Sequence, residues 1–164
     1  MFKTKIIDTR DKRNFTVLVI CALVILLLLL ILTNPVLAGG RPLSVTLTGA
    51  NEVPAGSGDL GASGSVDMTI NVGQNEVCFN LTTSNLTNGS AFAAHIHRGA
   101  VGINGPVVVT LATGSFTSAS GCVSPNSGNK HDLRDILINP SGYYVNVHTA
   151  PDFGPGAIRG QLEK

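Results

Sequence analysis

From residue 43 onward, apolar residues fall at every second position in short pieces, and no other property limits the fold of this chain as tightly. Leu43, Val45 and Leu47 alternate with polar neighbours, as do Val66, Met68, Ile70 and Val72, and then Val77, Phe79 and Leu81. A period of two puts one face of a strand in a core and the other outside. Gly73-Gln74-Asn75 separates the last two pieces and predicts a hairpin. Further strands are expected at Phe92–His97, Pro106–Leu111, Ser115–Val123 with a break, Tyr143–Thr149 and Ala157–Leu162. All 19 glycines and seven of the eight prolines lie from Gly39 onward, which excludes a helix bundle because both residues destabilise helix interiors. The expected fold is all-β: an antiparallel Greek-key β-sandwich or flattened barrel of seven or eight strands. Only Lys130–Ile138 reads as helical, with Asn129 as cap and Leu133, Ile136 and Leu137 as its apolar stripe, lying across a sheet edge.

The first 38 residues have another composition. Lys3, Lys5, Arg10, Lys12 and Arg13 precede the stretch Phe15–Leu32, in which 17 of 18 residues are apolar, and Val36-Leu37-Ala38 follows. This is the order of a secretory signal, with cleavage expected after Ala38. Eighteen helical residues span about 27 Å, close to a bilayer core of about 30 Å, so an uncleaved hydrophobic leader helix acting as membrane anchor is the alternative. Either way the basic end stays in the cytosol and residues 39–164 form one extracytoplasmic domain. Contact with a membrane is expected through the N-terminal segment alone. From Gly39 onward six basic residues face eight acidic ones, a net charge of 6 − 8 = −2, which gives no footprint for nucleic acid.

Cys21 lies in the apolar run, leaving Cys78 and Cys122 as the pair in the second part. An oxidising compartment would join them, and two buried free thiols are the other reading. Asn80, Asn85 and Asn88 each begin a glycosylation acceptor triplet, which counts only in a eukaryotic secretory pathway.

Chemistry concentrates in the histidines. In Phe92-Ala-Ala-His95-Ile-His97 the strand period places Phe92, Ala94 and Ile96 on one face and both histidines on the other, about 7 Å apart. In the later strand Tyr143, Val145 and Val147 take the apolar face, while Tyr144, Asn146 and His148 share the opposite one. Three neutral imidazoles converging from neighbouring strands suit zinc or copper, with a coordination position left open. Tyr144, Asn146 and Asp152 are candidate neighbours of that site. The other reading is three side chains on a polar sheet face, bonded to water or to Asn146 and Asp152. His131 stands apart in the helical segment.

The loop Arg98–Pro106 reads as a tight connection and not a phosphate cradle, since no Lys follows and a strand comes next. Glu52 and Arg159, isolated beside Gly and Pro turns, are expected to pair and pin the first and last strands together, or to form an acid–base site. No second carboxylate or G-x-S-x-G elbow accompanies them, so a binding or structural role is expected ahead of an enzymatic one.

Gly49-Ala-Asn-Glu52-Val-Pro54, the segment Ala94–Val107, Tyr143–Thr149 and Gly156–Leu162 together resemble the CHRD domain, the module first described in chordin. Glu52, His95, His97, His148 and Arg159 match the family pattern, and Cys78 with Cys122 resembles the pair found in single-copy members. The resemblance implies a fold and an extracellular setting, with an extracellular protein or surface ligand as partner. Chordin's cysteine-rich growth-factor-binding modules have no counterpart here, so growth-factor antagonism is not implied. The His-x-His strand is also similar to the copper-binding strand of copper/zinc superoxide dismutase. That family needs further histidines and an aspartate for zinc, in a loop this chain lacks, and its guiding arginine has no assigned match. Three functions are therefore expected in competition: a surface binding or structural module, a mononuclear metal site with a binding or redox role, and homotypic adhesion through a sheet edge.

Overall fold

The computed structural model describes residues 40–128 and 130–164. The leader and the Asn129 cap lie outside the described residues. Eight strands form: β1 Arg41–Thr48, β2 Ser63–Asn71, β3 Glu76–Ser84, β4 Ala91–Arg98, β5 Val107–Phe116, β6 Ser118–Val123, β7 Tyr143–His148 and β8 Ile158–Gln161. They make one antiparallel sheet in the order β5-β4-β7-β8-β1-β2-β3-β6.

The sheet curls into a nearly closed barrel. β1 and β8 share a single residue pair, Thr48 with Arg159, and that thin join divides the strand order into two halves. One half is β1-β2-β3-β6, the other β5-β4-β7-β8. At the other seam Asn126, just past β6, donates its backbone N–H to Val108 and accepts from the N–H of Thr110. The alternating apolar residues meet between the halves, where Leu47, Val66, Ile96, Val109, Val145 and Ile158 are fully buried. Burying each such side chain stabilises the fold by about 1.5–3 kcal/mol.

Two sequence expectations shift in detail. The break expected within Ser115–Val123 falls at Thr117, so Ser115 and Phe116 complete β5. Phe92 does not join Ala94 and Ile96 inside: it is 43% exposed. Irregular pairing of β4 with β5 between Ala91 and Ala93 interrupts the strict alternation.

The helix α1, Lys130–Ile138, buries Leu133 and Ile136 against the core, with Leu137 partly covered. It lies beside the start of β7 and the end of β4. There Tyr143 donates its hydroxyl to Asp135, and Arg98 bonds Asp132 at 3.0 Å. A disulfide joins Cys78 and Cys122, which face each other across β3 and β6.

Candidate metal centre

The outer face of β4, β7 and β8 carries the chemistry, and strand register explains why. His95 lies opposite Asn146, which lies opposite Arg159; His97 lies opposite Tyr144, and Ala93 opposite His148. On an ordinary half-buried strand such residues would face water. Here all six residues of β7 are buried, because the loops after β4 and β7 fold back over this face.

Those loops fix the imidazoles. His97 Nδ1 lies 2.9 Å from the carbonyl of Gly105, and His148 Nδ1 lies 3.0 Å from that of Gly154. A carbonyl oxygen only accepts, so each Nδ1 carries the proton and each Nε2 presents a lone pair. Gly105 is required at its position, since a Cβ there would lie 1.7 Å from the carbonyl oxygen of Arg98. Its N–H donates to the Tyr144 hydroxyl at 3.2 Å.

The three rings converge. Their centroids are 4.9 Å apart for His95 and His148, 5.6 Å for His95 and His97, and 5.9 Å for His97 and His148. His95 Nδ1 approaches His148 Nε2 at 3.0 Å, and one nitrogen from each ring fits in a cluster no wider than 4.8 Å. Nitrogens bound to a metal at about 2 Å lie about 3.4 Å apart, so ring rotations of an ångström or so complete such a set. His97 Nε2 is buried and has no hydrogen-bond partner. An orphan of this kind costs about 1–3 kcal/mol unless something occupies its lone pair.

Burial depresses the basicity of all three rings. The pKa of His95 falls to about 4, through desolvation first and then the neighbouring His148 and His97. Desolvation also lowers His97 and His148, while the Gly105 and Gly154 carbonyls act in the opposite sense. All three are therefore neutral at neutral pH, the state in which imidazole binds metal.

The residues expected around the histidines divide. Tyr144 stacks on His97 with ring centroids 4.9 Å apart and planes 10° off parallel. Asn146 points its amide at Glu52 Oε2, 3.4 Å away, and its own Oδ1 is buried without a partner. Asp152 stands apart: it is exposed and accepts from Asn88. Neither Asn146 nor Asp152 bonds an imidazole, since the rings bond one another and the two carbonyls.

The direct ion pair expected of Glu52 and Arg159 is not made; the one salt bridge among the described residues joins Arg98 and Asp132. Arg159 instead donates to Asn104 Oδ1 and to the carbonyls of Ala100 and Ile103, clamping the loop that holds His97. Its guanidinium carbon lies 3.3 Å from the Tyr144 ring centroid. Glu52 feels that charge only at longer range, and burial pushes its carboxyl up to about 7. The carbonyls of Gly105 and Gly154 were beyond sequence reasoning, because backbone atoms leave no residue-type signature. The only sequence sign was a Gly-rich loop directly after each histidine strand.

Comparison with known proteins identifies the family. The family model described as the CHRD domain matches residues 43–162, a span that includes all three histidines, Glu52, Arg159 and both disulfide cysteines. The chain belongs to that family. No curated protein and no solved structure gives a significant match.

Proposed function

We propose that this CHRD-domain protein is an exported module that holds a single copper or zinc ion through His95, His97 and His148. The observation that carries the reading is His97 Nε2: deprotonated by its Gly105 contact, buried and unpartnered, on a ring whose centroid lies 5.6 and 5.9 Å from those of two further imidazoles. A polar sheet face with no ligand would leave that lone pair unsatisfied. The two carbonyls behind the rings supply the outer support that metal-bound histidines require. His95 Nδ1 and His148 Nε2, 3.0 Å apart, would both be available to hold an ion if the His95 proton were carried on Nε2.

Metal binding is favoured over dismutation of superoxide. Arg159, the cation stacked on Tyr144, is 2% exposed and its fork is committed to the loop, so it does not reach solvent to draw in an anion. The export half of the reading rests on the basic and apolar leader, and the disulfide fits an oxidising compartment.

Elemental analysis of the untagged full chain, after equilibration with copper and zinc, tests the site. One ion per chain is expected, lost in a variant carrying His95→Ala, His97→Ala and His148→Ala. Metal retained in that variant, or none in the parent, would overturn it. Mass spectrometry of the mature N-terminus decides whether cleavage follows Ala38.

A further inference from the structure

We infer that this site selects monovalent copper, Cu(I), over divalent ions, and that Arg159 enforces the choice across the ring of Tyr144. The inference rests on the proposed metal site and goes beyond it by naming the ion and the residue that discriminates.

Four observations lead there. The donor set is three neutral imidazoles, and among the described residues no carboxylate or thiolate belongs to their cluster. A divalent ion would keep its full double charge at a place where His97 and His148 are more than nine-tenths buried. The desolvation cost of an ion grows with the square of its charge, so the second unit costs more than the first.

Arg159 adds a fixed positive charge. Tyr144 lies on the strand between His97 and Arg159, stacked on the imidazole and covered by the guanidinium. The guanidinium is satisfied by two carbonyls and an amide oxygen, all neutral, and no carboxylate among the described residues touches it. The stacked rings set the guanidinium one aromatic layer away from the His97 imidazole. The repulsion from its charge acts twice as strongly on a divalent as on a monovalent ion. Glu52 is a partial counter-charge at best, because its carboxyl titrates at about 7.

Coordination number points the same way. Cu(I) is satisfied by three nitrogen donors, whereas Zn(II) takes four in a tetrahedron and Cu(II) prefers four in a tetragonal arrangement. Each divalent ion would have to complete its set with a water drawn into the buried cluster, a ligand that Cu(I) does not need.

The test is a competition titration on the untagged full chain: Cu(I) under anaerobic reductant, then Cu(II) and Zn(II), each against a chromophoric chelator at fixed pH and salt. Cu(I) is expected to bind at least about 100-fold more tightly than Zn(II). Arg159→Gln is expected to shrink the Cu(I)-to-Cu(II) affinity ratio by about tenfold, and Arg159→Lys, which keeps the charge, to preserve it. Mere loosening of the loop over His97 would weaken both copper states together and leave the ratio in place, so an unchanged ratio in folded Arg159→Gln overturns the role of Arg159. Zn(II) binding as tightly as Cu(I) overturns the selectivity while sparing the metal site. No binding of any ion removes both. If circular dichroism shows Arg159→Gln unfolded, the parent's Cu(I)-to-Zn(II) ratio and Arg159→Lys decide.

Discussion

The two halves of the barrel share a core and differ in what covers their outer faces. On the β1-β2-β3-β6 half, Ser44, Thr46, Ser65, Asp67, Asn80 and Thr82 face water, and burial alternates along the strands as a period of two demands. On the other half β7 is buried on both faces, and the residues under the loops are two histidines, a tyrosine, an asparagine and an arginine rather than aliphatics. Burying polar side chains costs free energy unless they are matched, so a strand that stops alternating while keeping polar residues marks where folding has been compromised for another purpose. The plain half specifies the barrel, and the covered half uses it.

That division can be attacked from either side. The largest effect on stability is expected in the plain half. Cys78→Ser with Cys122→Ser opens a loop whose ends are 44 residues apart, and should cost about 4 kcal/mol in urea denaturation. Metal affinity should stay within about twofold; a collapse of affinity would show that the halves are not separable.

In the covered half the order reverses. Gly105→Ala places a Cβ against the Arg98 carbonyl and displaces the support of His97, so metal affinity should fall about 10- to 100-fold by the same titration. Unchanged affinity would mean that the carbonyl does not govern the ring.

Acid and base should also separate two groups of the covered face, Glu52 beside Asn146 and His95. The folded-state pKa of Glu52 is about 7 against an ordinary 4.5, so the folded state binds more protons than the unfolded between those values. Stability from Glu52 is therefore full below pH 4.5 and lost as pH rises toward 7. His95 runs the other way: at about 4 against 6.5, it costs metal-free stability as pH falls from 6.5. Glu52→Gln should remove the loss on the alkaline side, gaining about 1–3 kcal/mol above pH 7 and little below pH 4.5. A stability curve that keeps its alkaline slope in the variant would assign that slope elsewhere. The smallest effect belongs to the plain face, where Ser65→Ala, breaking a 3.0 Å contact with Thr82, should change stability by less than about 0.5 kcal/mol.

The same division governs what the sequence disclosed. Alternation placed β1, β2 and β3 and the core they face because burial there follows periodicity. It also put His95 and His97 on one face and His148 on the matching face of another strand, since a strand's parity is readable residue by residue. Which strands become neighbours is not, and the crossing of β4 beside β7 is what turns three separate histidines into one cluster. Phe92 escaped because an irregular pairing interrupts the period. Arg159 was read as a partner for Glu52, although loop carbonyls, which carry no signature in the sequence, took its hydrogen bonds instead.

X-ray absorption on the full chain loaded with one equivalent of copper reads the ligands themselves. Three imidazole nitrogens at about 2 Å are expected, without sulfur. A spectrum dominated by sulfur, or one showing fewer than three imidazoles around the ion, would contradict the proposed site.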